Sequence, residues 1–459
     1  MERRPTLEMV GAAADTIDPS IRRSVPAGTS REARFDLKRQ AIHLMGNLAP
    51  MLSGLLTAPM TARSLGPGGR GEVTIIMLIS GVVIIAAGFG FGWLARHSVG
   101  TDRFSITFWR ESALKASLLA IPVSLGVGVT AALVLRFDFS ATIATLVLMT
   151  LSAMASLRSV DANVLVAIDR PATVGAVNLS GAAITLIVVV AAFLMGTLNV
   201  TVAIYSNAAG IVVQVALLTF ALRRLLAPQL DRYRDRKLQM KSDPEYRGRR
   251  MFDRASRSWA SQVIDALVLK TDTAVSLSGG STRQVGLYSA AALIPQVAYA
   301  IVLTIIQRSY AKSPAVSPVD RLRLLQQTCT MLAVVLVIAG APTAYFFLPW
   351  FLGQDFVSAR AYIPAACAAT LGLAVIAPVI QFTSSGRQSL WPLTAISLSA
   401  LVMGSALGTI SNISLGIFAA GIVLAAGALA YSFALAGRSL LNVSFRGLVA
   451  HFKGGLEGD

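Results

Sequence analysis

Apolar residues in this chain fall into runs of about twenty, parted by short polar turns. Twelve such runs can be drawn, at 39–62, 72–94, 111–135, 139–167, 172–196, 200–222, 252–277, 285–307, 323–348, 358–384, 389–411 and 414–437. About twenty helical residues cross the ~30 Å hydrocarbon core of a bilayer. The pattern therefore predicts an all-α polytopic membrane protein with about twelve transmembrane helices. A membrane β-barrel would show alternating segments of about ten residues instead, and those are absent. Segment one carries Pro50 and Pro59, each of which removes a backbone donor, so a bent helix is expected there. Asn47, Gly54, Thr57 and Thr61 accompany them. That combination suits a gate, and equally suits close packing through small residues.

Polar positions break the apolar pattern most between Ser258 and Gln307. An ionised side chain at the centre of a bilayer costs roughly 2.5–3.5 kcal/mol on insertion scales, so charges kept there point to use. Asp265 and Asp272 lie two helical turns apart and share a face, with Gln262 on the same stripe. Gln296, Tyr299, Leu303 and Gln307 recur at helical spacing on the next segment. Two apolar helices with one polar stripe each are expected to wall a wet transport cavity. Lys270 stands well around the helix from both aspartates, so it either reaches the cavity or snorkels to the interface. Asp265 suits a protonatable or cation site, or a hydrogen bonder held by a neighbouring helix. Arg158 and Asp161, three residues apart in segment four, can pair along one face as a structural or gating ion pair or can contact substrate.

Composition agrees with the membrane reading. The chain is 54% hydrophobic and 14% charged, where a soluble domain carries about a quarter charged residues. A net charge of +17 invites a nucleic-acid partner. The placement of the charges argues against it. Assigned to the nearer end of each helix, all but six of the 40 lysines and arginines fall on one side. The six are Arg63, Arg70, Arg136, Lys270, Arg283 and Arg360. The positive-inside rule then places both termini in the cytoplasm. Cys329 and Cys367 sit in apolar runs without a partner motif, and the histidines show no metal spacing. No nucleophile–base constellation or phosphate-cradling loop is present, so an enzyme is not expected.

The basic stretch 223–251 divides the chain into two six-helix halves, 39–222 and 252–437, flanked by tails 1–38 and 438–459. It serves as a topogenic anchor on anionic lipid or as a docking segment. The halves resemble each other weakly. TARSLGPGGRGEVT (61–74) aligns with the turn SLSGGSTRQVGLYS so that Gly71 meets Gly286, and GTLNVTVAIYSNAAG (196–210) corresponds to TISNISLGIFAAG (409–421). Transporters often carry such repeats, with the substrate site at the repeat interface.

Several patterns in order along the chain resemble the polysaccharide-lipid flippases (Wzx-like) of the multidrug/oligosaccharidyl-lipid/polysaccharide (MOP) superfamily. They are ARSLGPGGRG (62–71), LKTDTAV (269–275) followed by VGLYSAAALIP (285–295), FLPWFLGQDFVSA (347–359) and SLGIFAAGIV (414–423). The resemblance implies a MOP/MATE-like pair of six-helix pseudo-symmetric bundles in a bacterial inner membrane. It also implies translocation of a polyprenyl-diphosphate-linked oligosaccharide from the inner to the outer leaflet for polysaccharide export. The multidrug cation antiporters of the same superfamily are the alternative, although their usual first-helix acid is missing between Lys38 and Glu72. On the flippase reading, Asn47, Gln262, Asp265, Gln296 and Gln307 are expected to bond sugars. Arg158, Lys270 or Arg308 would balance the diphosphate. No cofactor is expected, coupling to a H⁺ or Na⁺ gradient is left open, and the partners are the lipid-linked glycan, membrane lipids and polymerase or glycosyltransferase machinery.

Overall fold

The computed structural model describes residues 30–98, 105–168, 170–226, 248–279, 281–312, 318–385 and 390–436. Most of the basic linker and of both tails lies outside them. The described residues form helices and no strand. The helices are α1 (Ser30–Gly88), α2 (Phe91–Ser98), α3 (Ile106–Val134), α4 (Phe139–Ala153), α5 (Ala155–Ala167), α6 (Pro171–Leu194), α7 (Val200–Leu226), α8 (Gly248–Leu277), α9 (Thr282–Ala291), α10 (Leu293–Lys312), α11 (Pro318–Leu352), a 3₁₀ segment (Gln354–Tyr362), α12 (Ile363–Ser385), α13 (Trp391–Ile410) and α14 (Ile413–Ala436).

α1 is two helices joined at a kink. Gly66 takes φ 63° and ψ −177°, a conformation open to glycine, and Pro67 follows without a backbone N–H. Among the described residues eight helices, with the two arms of α1 counted as one, are long and apolar enough to cross a membrane. The pairs α4–α5 and α9–α10, bent by 42° and 56°, each pass as one span. Counting the α1 arms separately and adding the more polar α8, each of the twelve apolar runs matches one helix or bent pair.

α1–α7 and α8–α14 make two bundles, each with its own buried cluster. Trp109, Val164, Leu165, Leu218 and Leu222 knit one side of the first, while Ile264, Val275, Tyr288, Ala333 and Ile376 belong to the core of the second. Outward-facing residues are apolar too, such as Leu119 and Phe139 in the first bundle and Ile338 and Ile410 in the second, as a lipid-facing surface requires. Exposed Trp350 and Trp391 stand near opposite ends of their helices, where amphipathic indoles favour membrane interfaces.

The bundles meet at both ends of the molecule. At the end carrying the Gly66 kink, Ala58 and Ala62 of α1 pack with Leu287 and Ala290 of α9, Leu348 and Leu352 of α11, and Phe356 of the 3₁₀ segment. Beside this seal Gly71 and Gly286 touch reciprocally. A β-carbon on Gly71 would run into the Thr282 carbonyl, and one on Gly286 into that of Pro67. These are the two positions that the internal repeat aligns. Between helices in lipid, association depends on packing, and small residues let backbones approach. At the opposite end Trp259 of α8 stacks on Phe89, centroids 5.9 Å apart, and donates its indole N–H to the Ala86 carbonyl at 3.1 Å.

Candidate functional site

A polar cavity of about 360 Å³ lies within the first bundle, walled by both arms of α1 and by α5, α6 and α7. Hydroxyls supply much of its surface. Thr57 and Thr61 donate to the carbonyls one turn back, Ser53 and Thr57, at 2.9 and 3.0 Å. Ser53 donates to the Ala182 carbonyl across to α6, and Thr185 to the Ser206 carbonyl across to α7. These oxygens keep acceptor capacity after such bonds. Asn207 and Gln214 add amides, and Gln214 lies over Gly181, where a side chain would not fit.

Among the described residues, two cations line this cavity and no carboxylate does. Arg70, 9% exposed, donates from Nη1 to the Ala58 carbonyl at 3.1 Å and to Thr61 Oγ1 at 3.4 Å. Its Nε donates to Ser289 Oγ of α9, in the other bundle, at 3.1 Å. Arg158 donates from Nη2 to Asn178 Oδ1 at 3.2 Å. Neither arginine pairs with an acid among the described residues. Low dielectric strengthens their attraction for an anion.

Asp161 corrects one expectation: it does not pair with Arg158. It is buried and pairs with Arg110 of α3 (Nε–Oδ1 3.1 Å), while Thr219 of α7 donates to its other oxygen at 3.2 Å. The spacing would let the two meet, but each took a partner from a helix packed beside it, Asn178 of α6 for Arg158 and Arg110 of α3 for Asp161. Arg110 also donates to Thr219 at 3.2 Å, closing a triad across α3, α5 and α7.

The expected wet stripe on α8 divides. Asp272 is buried in packing, not along the polar cavity, and accepts from Tyr288 Oη of α9 at 2.5 Å and from the Thr273 amide at 2.6 Å. A hydrogen-bonding acid that joins two helices satisfies its burial without water. Lys270 is exposed and lines a second, almost wholly apolar cleft of about 580 Å³ between the second arm of α1, α3 and α8. Gln262 is half-buried and Gln296 exposed, and neither lines the polar cavity. The side chains of Asn47, Asp265, Gln307 and Arg308 lie outside the described residues. Of the six candidates whose side chains are described, Arg158 lines the polar cavity; Arg70, its fellow cation, was not among the candidates. The signal available was an arginine beside a helix break, facing the Thr57–Thr61 stripe one arm away.

No protein-family model and no curated protein matches the sequence. Solved structures do match in shape. The inward-facing conformation of a multidrug resistance MATE family transporter of the MOP superfamily aligns over 88% of this chain and 96% of its own, at 15% identity and TM-score 0.52. A MATE in complex with MaD5 aligns over the same shares at 14% identity and TM-score 0.56. The fold is that of the MOP-superfamily transporters. Another member of similar fold, from Pyrococcus furiosus Vc1 (DSM3638), is described as having a binding pocket of reverse polarity that suggests a different function. It covers 88% of this chain and 95% of its own, at 15% identity and TM-score 0.52. Within the MOP fold, this chain's polar cavity sits in the first bundle and reaches the second through Arg70.

Proposed function

We propose that this chain moves a polyprenyl-diphosphate-linked oligosaccharide between membrane leaflets for polysaccharide export. The observation that carries the reading is the sign of the cavity: Arg70 and Arg158 with hydroxyls and amides, and no acid among the described residues of its wall. A cation would meet repulsion there; a diphosphate would meet two guanidinium forks suited to phosphate geometry. Sugars need hydrogen bonds because each unsatisfied hydroxyl costs several kcal/mol in hydrocarbon, and the wall offers them. At about 360 Å³ the cavity is at the small end of ligand sites. It suits the diphosphate and the first sugar, with the remaining glycan lying between the bundles. The apolar cleft beside Val82, Val123 and Lys270 gives a prenyl chain a way to stay in lipid during passage.

On this reading the kinked end faces outward, both termini are cytoplasmic, and the membrane is a bacterial inner membrane. A polymerase or glycosyltransferase would take up or supply the substrate. The decisive assay is transfer of a short fluorescent polyprenyl-diphosphate glycan across proteoliposome bilayers. Protein-dependent transfer, lost in Arg158→Gln, is the expected result; transfer equal to empty vesicles rejects the reading.

The second reading is a cation-coupled multidrug antiporter, favoured by the likeness in shape to MATE transporters described as multidrug resistance proteins. Efflux of cationic drugs driven by a H⁺ or Na⁺ gradient, with no glycan transfer, would select it.

A further inference from the structure

We propose that Arg70 couples the two bundles to the cavity, so that an anion bound there releases the contact between them at the kinked end. The inference rests on the reading of the cavity as a diphosphate site. One guanidinium does two things: it lines the cavity, and its Nε holds Ser289 of the opposite bundle. The bond stands at the tightest approach between the bundles, since Arg70 precedes Gly71, and Ser289 donates to the carbonyl of Gly286, the reciprocal glycine. Among the described residues, every partner of Arg70 is neutral: a carbonyl and two hydroxyls. A phosphate oxygen carries a charge opposite to that of the guanidinium, and in low dielectric the ion pair is stronger than the bond to an uncharged hydroxyl. A phosphate in the cavity therefore outcompetes the Ser289 hydroxyl. The guanidinium is rigid and planar, so turning its fork onto a phosphate swings Nε away from Ser289. The glycines beside it have no side chains to keep hold of the neighbour. Linkage requires the converse, that the Ser289 bond weakens anion binding by the factor by which the anion weakens the bond.

The test uses the full chain in lipid nanodiscs, with Cys329 and Cys367 replaced by alanine. Spin labels go on cysteines at Thr197 and Ser411, exposed turn positions at the kinked ends of the two bundles. Farnesyl diphosphate is the probe, and its binding is titrated separately from the distance measurement. In the parent chain the probe is expected to bind and lengthen the Thr197–Ser411 distance. Ser289→Ala should show part of that lengthening without probe and bind the probe about tenfold more tightly, the lower end for one hydrogen bond to a charged group. Arg70→Lys keeps the charge but not the fork, so it should bind the probe with reduced affinity and show the longer distance before any is added. A Ser289→Ala chain with unchanged distance and affinity overturns the proposal. Probe binding to the parent without a change in distance overturns it while leaving the diphosphate reading intact. Absence of probe binding to the parent removes both.

Discussion

Asp161 shows how a buried charge in this fold is satisfied. Its carboxylate meets Arg110 and Thr219 and is almost wholly buried. Removing one partner of a buried pair costs about 3–5 kcal/mol, and the figure here should fall below that because Arg110 keeps a quarter of its side chain exposed. Arg110→Ala is thus expected to lower the thermal unfolding midpoint in detergent markedly. The double variant Arg110→Met/Asp161→Leu should recover most of the loss, since no charge is then stranded. If the double variant is no more stable than the single, the triad is not a matched unit. Arg158 predicts differently, because its partner is the neutral Asn178. Arg158→Gln should change stability by no more than about 1 kcal/mol yet reduce glycan transfer at least tenfold. Unchanged transfer would remove Arg158 from the substrate path.

Helix-scale behaviour turns on the glycine pair. A methyl group at position 71 or 286 meets backbone of the facing helix, which cannot rotate aside as a side chain can. Overpacking of this sort typically costs 1–3 kcal/mol, and here it falls on the contact between bundles rather than on either bundle's core. Gly286→Ala should therefore keep each bundle folded while loosening the kinked end. The check is alkylation of a cysteine at Leu287, which is buried in the seal with Ala58 and Ala62. In a chain without Cys329 and Cys367, modification should speed up severalfold in the Gly71→Ala and Gly286→Ala backgrounds. Equal rates would mean that the glycine approach does not hold the seal. The elements themselves were legible in the residues. The pairing of Gly66 with Pro67 marks the break in α1, and the repeat alignment had already matched Gly71 with Gly286. That the two touch was not legible, because an alignment relates positions without bringing them together.

For the whole molecule, the proposed cargo has a directional consequence. Carrying a diphosphate outward against an inside-negative potential is downhill by about 2.3 kcal/mol per net charge per 100 mV. Transfer in proteoliposomes should accelerate several-fold when the compartment matching the cytoplasm is made negative. A rate indifferent to potential, yet raised by a H⁺ or Na⁺ gradient, would mean that a cation travels with the cargo and cancels its charge.

Membrane class, helical content and the position of every apolar run follow from the chain alone. Transfer of a residue into hydrocarbon is close to a local, additive property, and backbone groups in lipid must bond within their own helix. Which polar groups meet is a different matter. The stripe on α8 was visible at helical spacing, but Asp272 of that stripe is taken up by Tyr288 in packing. The cationic cavity draws Arg70 from the second arm of α1, Arg158 from α5 and hydroxyls from three helices. Those meetings depend on how each helix is rotated and where it crosses its neighbours. Both are set by contacts between residues far apart in the chain, so only the packed structure decides them.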